Sequence, residues 1–256
     1  MVRIGFCCPA AEAARAKAAG CEYIELGFDK IACMSDAEFA QTKAQLEEAG
    51  LRAEAMNCFV MAKFALYTLQ DDTELRAYLT QGLARAKALG TEVVVFGSAG
   101  ARKLPEGVDK REAWNVLAPY FRLGAELGRE YGVTIAIEPL CYAECNAVNT
   151  LQEGLALMQL VNHPNLKILA DMFHMGENGE DYTDIKLAAA DLRHCHIGRP
   201  GGRTYPLPDD GYDYRPFFAA LKEAGYNRRL SIEAKPANGP EDLAVSVEYL
   251  KALRGE

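Results

Sequence analysis

The sequence lacks the features of membrane-spanning and nucleic-acid-binding proteins. None of its apolar runs approaches the roughly 20 residues that a helix needs to cross a bilayer. The formal net charge is −8, and the 28 lysines and arginines are scattered along the chain. A protein that binds phosphate backbones usually carries a basic stripe instead. We therefore expect a globular protein whose partner is neither a membrane nor a nucleic acid.

Signals for export and for disulfide bonding are also missing. The N-terminal residues MVRIGFCCPAAEAARAK pass directly from an apolar strand pattern into an alanine-rich helix pattern. This differs from the apolar core and cleavage site of a signal peptide. The 8 cysteines show no CxxC spacing, and the chain is far longer than the small secreted domains that need disulfides. We expect a cytoplasmic protein with reduced thiols.

A weak internal repeat runs through the chain: an amphipathic helix, a glycine and an apolar strand. The repeat units are AAGCEYIELG, EEAGLRAEAM, KALGTEVVVFG, REYGVTIAIEP and KEAGYNRRLSIEA. Two further units, HPNLKILAD and AADLRHCHIG, follow the same rhythm without the glycine, and VRIGF opens the series. No strand is followed by a GxGxxG loop, which weakens the alternative of an open dinucleotide-binding sheet. The repeat thus predicts eight strands, each followed by a helix.

Eight such units in a chain of 256 residues predict an α/β fold, a closed (β/α)8 TIM barrel that forms a single domain over residues 1–256. The predicted helices span residues 10–19, 35–49, 72–89, 109–131, 150–161, 183–190, 213–224 and 240–254. The connections from strand to helix are the long ones, at 57–71, 98–108, 139–149, 172–182 and 197–212. Barrel enzymes keep their active sites on the face from which these loops emerge.

Four ionisable residues lie where apolar strands end on that face. They are Glu138 in VTIAIE, Asp171 in LKILAD, His196 in LRHCHI and Glu233 in LSIEA. A buried strand end is a poor place for a charge unless something neutralises it, and a divalent metal ion is the simplest candidate. Three carboxylates and one imidazole suit Mn²⁺ best, with Mg²⁺ or Co²⁺ as alternatives, whereas zinc prefers more nitrogen or sulfur.

Strand alternation predicts which side chains enter the barrel lumen. If Glu138 points inward, Ala136 does so too, while the neighbouring isoleucines face the helices. In the seventh strand His194 shares the face of His196, one layer away, and we interpret it as a satisfied lumen histidine. His174 comes three residues after Asp171, in the loop over the barrel mouth. We expect His174 to contact the substrate.

At these residues the chain resembles the xylose isomerase-like superfamily of sugar isomerases and epimerases. The resemblance is closest to the ketose 3-epimerase branch, typified by D-tagatose and D-psicose 3-epimerases. It rests on the motifs IEP, ADMFHM, HCHIG and SIEA, which contain the four strand-end residues. It covers residues 133–236, while the N-terminal half matches only as a barrel pattern.

The resemblance implies that Glu138, Asp171, His196 and Glu233 bind the metal. It implies also that Glu138 and Glu233 carry out the proton transfers. Glu144, six residues after the first glutamate, and an arginine after the strand-seven histidine would contact the substrate. The loop HIGRPGGRTYPLP departs from the family spacing by about one residue, so Arg199 and Arg203 are both candidates, and we favour Arg203. A homodimer or homotetramer is common in the resembling family.

The chemistry agrees with this assignment. Epimerisation beside a carbonyl removes a weakly acidic proton and returns one on the opposite face. A divalent ion that chelates the carbonyl and a neighbouring hydroxyl stabilises the resulting enediolate. Two glutamates from different strands could then exchange the roles of base and acid. The substrate would be a small sugar or sugar phosphate, since GRPGGR could hold either hydroxyls or a phosphate.

Several alternatives share the same four residues. A hydroxypyruvate isomerase-like or other aldose–ketose isomerase and an inosose dehydratase-like lyase also need a metal and acid or base carboxylates. An endonuclease IV-like nuclease needs a trinuclear site with additional histidines, and the 4 histidines of this chain cannot supply it. A barrel that binds a sugar without turnover is less favoured because all four ligands are present.

Phe6, Glu25 and Asn57 are expected to form walls of the substrate pocket, and Phe59 and Phe64 are expected to form an apolar lid over it.

Overall fold

Eight parallel strands form a closed barrel in the computed structural model, which describes residues 1–255. Each strand pairs with the next along the chain, and the eighth pairs with the first, as in Gly5 opposite Ser231. The strands are β1 (Arg3–Cys7), β2 (Tyr23–Gly27), β3 (Ala53–Asn57), β4 (Val93–Phe96), β5 (Thr134–Ile137), β6 (Leu166–Asp171), β7 (Leu192–Ile197) and β8 (Arg229–Ile232). The predicted TIM barrel is confirmed.

Helices surround the barrel and connect its strands. They are α1 (Ala13–Ala18), α2 (Phe28–Cys33), α3 (Asp36–Ala49), α4 (Thr73–Leu89), α5 (Ala99–Arg102), α6 (Lys110–Tyr131), α7 (Leu151–Val161), α8 (Met172–Asn178), α9 (Arg215–Glu223) and α10 (Asp242–Leu253). Short 3-10 helices span Ala10–Glu12, Ala62–Phe64 and Tyr182–Ala188. Within residues 1–255, no helix combines the length and apolar character needed to cross a membrane.

The predictions for the segments after β6 need two corrections, and the short helices α2 and α5 are not among the predicted helices. The segment predicted as a helix at 183–190 is the 3-10 helix Tyr182–Ala188. The preceding segment, 172–182, was expected to be a loop, but its first part forms α8. The side chain of Asp171 caps α8 by accepting a hydrogen bond from the backbone N–H of Phe173 at 2.8 Å. The helix α8 therefore begins directly after β6, and the loop follows it, beginning at Gly179.

Glycines end the helices where the repeat predicted them. Gly50, Gly90 and Gly132 follow α3, α4 and α6 with φ angles of 62°, 74° and 75°. These left-handed conformations strain residues that have a Cβ. Each glycine reverses the chain within one or two residues, so the connections at the N-terminal end of the barrel stay short.

Side-chain alternation separates the lumen from the helix layer as predicted. Ile135, Ile137 and Leu230 belong to the large core between strands and helices. Ala136 lies instead in a small lumen cluster, together with Tyr23, Ala55, Val93, Val95 and Leu169. Small side chains in the lumen leave room for a few large polar ones. The lumen is thus the part of the fold that can hold buried charges.

Charged residues close the N-terminal end of the barrel. Arg3 donates hydrogen bonds to both carboxylate oxygens of Glu54, at 2.8 Å and 2.6 Å. Arg229 donates to the same carboxylate at 2.8 Å. Two arginines compensate the buried Glu54, so this layer is electrostatically satisfied from within the protein. At the mouth of the barrel, by contrast, the buried Oδ2 atom of Asp171 has no hydrogen-bond partner within residues 1–255.

The expected apolar lid is wrong. Phe59 and Phe64 are buried in the core rather than facing the barrel mouth. The ring of Phe59 packs edge-on against Phe28 and Phe96, with centroid distances of 4.9 Å and 5.4 Å. The backbone N–H of Phe59 donates to the carbonyl of Val95, so the chain still follows the sheet here. Its side chain therefore points to the helix layer.

Close packing between α2 and α4 depends on Gly82. A Cβ at this position would overlap the ring of Phe28. We expect Gly82→Ala to lower the free energy of unfolding by about 1–3 kcal/mol through overpacking, although alanine favours helix more than glycine does. Gln81→Ala, at an exposed position of the same helix, should change it by less than about 0.5 kcal/mol. Urea unfolding followed by circular dichroism tests this, and equal midpoints for the two variants would contradict it.

Candidate active site

The four strand-end residues converge at the mouth of the barrel. Asp171 is the last residue of β6 and His196 lies in β7, while Glu138 and Glu233 directly follow β5 and β8. These strands are neighbours in the sheet, so the side chains enter the same space. One potential ligand atom from each residue lies within 4.8 Å of all the others. The arrangement is a candidate site for a metal ion.

His196 lies at the centre of this cluster. Its Nδ1 atom is 3.0 Å from Oε1 of Glu138 and 3.4 Å from Oε2 of Glu233. Its Nε2 atom is 3.0 Å from Oε1 of Glu25. Burial alone would lower the pKa of His196, but the negative charges of these three carboxylates outweigh burial and hold it well above its usual value. Negative charge is therefore in excess here, as a cation site requires.

Asp171 provides a test of whether a metal ion fits. Its Oδ1 atom caps α8, whereas Oδ2 is buried and has no hydrogen-bond partner within residues 1–255. Burial raises the pKa of this carboxyl group. An unsatisfied buried carboxylate oxygen is costly, and coordination of a cation would satisfy it. The donor set of three carboxylates and one imidazole also suits a hard divalent ion. The residues present fit the metal.

Glu233 is the most strongly paired of the cluster's carboxylates. Its Oε1 atom accepts a hydrogen bond from the side-chain amide of Asn57 at 2.9 Å. Its Oε2 atom accepts one from Nη2 of Arg203. Burial alone would raise the pKa of Glu233, but the charges of His196 and Arg203 lower it to about 2. The carboxylate is therefore ionised at neutral pH in the absence of substrate.

Arg203 lies at the rim of the site on the loop after β7. The loop pairs with the segment after β8, because the backbone N–H of Lys235 donates to the carbonyl of Arg203 at 3.0 Å. Nη1 of Arg203 donates to Glu144 at 3.1 Å, and its guanidinium lies 4.8 Å from the ring centroid of Phe173. Arg199, the other candidate, donates instead to the carbonyl of Asp210 at 3.2 Å. The structure thus brings Arg203 to the carboxylates.

His174 lies in α8 rather than in an open loop. Its Nδ1 atom accepts a hydrogen bond from the backbone N–H of Cys141 at 3.1 Å, so the neutral ring carries its proton on Nε2. Within residues 1–255 this buried Nε2 has no hydrogen-bond partner, and it lies 3.5 Å from Oδ2 of Asp171. A donor thus remains available beside the cluster.

A cavity of about 330 Å³ opens over these residues. Its walls include Glu138, Glu144, His174, Arg203 and Glu233, so the predicted catalytic and substrate-binding residues share one space. The remaining walls come mainly from the loops after β3 and β4 and include Asn57, Cys58, Met61, Ala62, Ser98 and Gly100. The volume is suitable for a small molecule.

Gly97 and Arg102 contact Glu138, although no sequence motif singles them out. Gly97 leaves the space that the carboxylate of Glu138 occupies, since a Cβ there would overlap Oε2. Arg102 is buried and donates to the backbone carbonyl of Glu138 at 2.9 Å. Glu25 and Asn57 were expected only as pocket walls, yet both bind side chains of the cluster. Glu25 was identifiable by the strand-end argument, whereas Gly97 and Arg102 carry no comparable signal.

Comparisons with known proteins agree with this geometry. A family model described as a xylose isomerase-like TIM barrel matches residues 13–253. The L-ribulose 3-epimerase of a Methylomonas species is 31% identical over 229 residues, which cover 86% of this chain and 76% of that protein. The ketose 3-epimerase of Arthrobacter globiformis is 32% identical over 111 residues, or 43% of this chain and 38% of that one.

Solved structures share the fold over the whole chain. A crystal structure of D-psicose 3-epimerase in the presence of D-fructose superimposes with a TM-score of 0.85. The alignment covers 100% of both chains at 18% sequence identity. At this identity the likeness supports the fold alone.

Removing the space beneath Glu138 should displace its carboxylate. We expect Gly97→Ala to fold, because the overlapping atom ends a flexible side chain, but to move Glu138 away from His196. The pKa of His196 should then fall, because one of the carboxylates that raise it is farther away. A pH titration of the histidines by NMR, in protein treated with a chelator, measures this.

Gly202→Ala provides the matched control. Gly202 lies on the rim, and a Cβ there makes only ordinary contact with Thr204. This variant should leave the pKa of His196 unchanged. An unchanged His196 titration in Gly97→Ala would show that the space beneath Glu138 does not determine the position of its carboxylate.

Proposed function

Because the chain belongs to the xylose isomerase-like TIM barrel family, we propose that it is an isomerase, specifically a divalent-metal-dependent ketose 3-epimerase. The observation that carries the proposal is the convergence of Glu138, Asp171, His196 and Glu233 within 4.8 Å of one another, beside a small-molecule cavity that Glu138 and Glu233 line. The names of the matched relatives, L-ribulose 3-epimerase and ketose 3-epimerase, support the choice of reaction.

The four clustered side chains would hold one divalent ion, for which we propose Mn²⁺, with Mg²⁺ or Co²⁺ as alternatives. When bound, the ion would polarise the substrate carbonyl and stabilise the negative charge that develops as a neighbouring proton leaves. Asp171 would bind the ion through its otherwise unpaired Oδ2 atom, and His196 would bind it through Nδ1.

Glu138 and Glu233 have the additional role of acid and base. They follow β5 and β8, which lie on either side of the two strands that bear Asp171 and His196. Both line the cavity, so they approach a bound substrate from different sides. One glutamate, ionised at the start, takes the proton from C3; the other, which enters the step protonated, gives its own proton to the opposite face and becomes ionised. In the reverse reaction the two exchange roles.

The proposed substrate contacts are Glu144, His174 and Arg203. His174 offers its unpaired Nε2–H group, and Glu144 offers carboxylate oxygens at the rim. Arg203 bridges Glu144 and Glu233 and can donate to a hydroxyl or carbonyl oxygen of the sugar. The proposed substrate is a ketose or ketose phosphate. We also propose that the chain assembles as a homodimer or homotetramer.

Asp171→Asn tests the metal centre independently of turnover. The change keeps a capping oxygen for α8 but removes the charge of the ligand. We expect the dissociation constant for Mn²⁺ to rise by more than about 100-fold, beyond the range of typical outer-shell changes. Asp191→Asn, at a surface ion pair with Lys167, should leave it unchanged. Isothermal titration calorimetry measures both, and equal affinities would refute the ligand assignment.

Solvent exchange tests the acid–base roles. In D₂O the Mn²⁺-loaded protein should place deuterium at C3 of a ketose substrate. Glu138→Gln and Glu233→Gln should each reduce the rate of epimerisation by about 10²–10⁴-fold or more, because each lacks one proton-transfer group. Glu130→Gln, at an exposed position of α6, serves as the control. Wild-type rates in either of the first two variants would exclude the mechanism.

The same experiment distinguishes the proposed reaction from its alternatives. A panel of ketoses, ketose phosphates, hydroxypyruvate and inosose is followed by NMR in D₂O. Deuterium at C3 supports the 3-epimerase, whereas deuterium at C1 or C2 identifies an aldose–ketose isomerase. Loss of water from inosose identifies a dehydratase.

A further inference from the structure

We infer that Glu25 on β2 is a positioning residue, which holds His196 so that Nδ1 faces the ligand cluster. The inference rests on the proposed metal centre. Glu25 is 1% exposed and lies across the lumen from β7, outside the set of four ligands. Its carboxylate supports the site from below rather than lining the reaction space.

The hydrogen bond between Glu25 and His196 determines which imidazole nitrogen is available. Oε1 of Glu25 lies 3.0 Å from Nε2 of His196. An ionised carboxylate only accepts hydrogen bonds, so Nε2 must carry a proton. Nδ1 also faces carboxylates, but these belong to Glu138 and Glu233 of the proposed ligand set, so an ion held among them would meet the lone pair of the neutral ring on Nδ1. Metal-binding histidines commonly have such a carboxylate on their second nitrogen, which fixes the tautomer and ring orientation.

A chain of polar side chains holds Glu25 itself in place. Its Oε2 atom lies 2.7 Å from Nε2 of His194. The same nitrogen lies 3.3 Å from the hydroxyl of Ser231, which lies 2.8 Å from the hydroxyl of Tyr23. Tyr23 crosses the lumen beside Gly5, where a Cβ would overlap its ring. Both oxygens of Glu25 are thus engaged, and its orientation is fixed.

Glu54 provides a control that distinguishes a positioning role of Glu25 from a purely structural one. It is also a buried lumen carboxylate, 3% exposed, but it pairs with Arg3 and Arg229 at the other end of the barrel. Loss of charge at Glu54 should lower the stability of the protein without changing the orientation of His196. Glu25→Gln and Glu54→Gln are therefore matched variants with different expected effects on the metal.

Mn²⁺ affinity is the first measurement, made by calorimetry on wild type and on both variants. Glu25→Gln should weaken binding by about 10–100-fold, and Glu54→Gln should leave it within about twofold of wild type. Equal Mn²⁺ affinity in wild type and Glu25→Gln would overturn the inference while leaving the metal centre intact. Absence of Mn²⁺ binding in the wild type would overturn the metal centre and the inference together.

NMR of the Mg²⁺-loaded wild-type protein is the second measurement and needs no variant. The imidazole of His196 should carry a single proton, on Nε2, hydrogen-bonded and protected from solvent exchange. A proton on Nδ1 would overturn the inference. That result would place an ion at Nε2, where Cys7 and Glu25 lie within 4.8 Å of His196. This spectrum decides the question even if Glu25→Gln does not fold.

Discussion

The crowding of negative charge at the barrel mouth is the constraint on which the rest of the site depends. Glu138, Asp171 and Glu233 place carboxylates within a few ångströms of one another in a largely buried space. Like charges at this distance raise one another's free energy, and burial adds to the cost. His196 and Arg203 compensate part of it. The Oδ2 atom of Asp171 still has no hydrogen-bond partner within residues 1–255, so under the proposed function a bound cation would complete the compensation.

The two halves of the barrel contribute different groups to the crowded site at the mouth. Strands β5 to β8 supply the four clustered side chains, and the register of neighbouring parallel strands brings them to one level. Strands β2 and β3 supply Glu25 and Asn57, which reach across the lumen to His196 and Glu233. The N-terminal half, in which the sequence shows only a barrel pattern, therefore provides the hydrogen bonds that orient the other half's groups.

The parts of the site that were predictable are those with a local signal. A charged residue at the end of an apolar run and the period-two alternation of a strand are both visible within six residues, and they located Glu138 and His196. The hydrogen-bond partner of each site residue could not be predicted in this way. Asn57 and Glu233 are separated by 176 positions in the chain, and no short pattern links them. Likewise, the burial of Phe59 depends on its contact with the distant Phe96, so the predicted lid was wrong.

Under the proposed function, the two glutamates that transfer protons are not equivalent. Glu233 accepts hydrogen bonds from Asn57 and Arg203, whereas the carboxylate of Glu138 lies 3.0 Å from Nδ1 of His196, the nitrogen that faces the proposed ion. A carboxylate stabilised by two donors is a weaker base. A substrate that drew Arg203 to its own oxygens would remove one of these donors and would raise the basicity of Glu233. Arg203, which bridges Glu144 and Glu233 at the rim, would thereby couple substrate binding to the activation of the base.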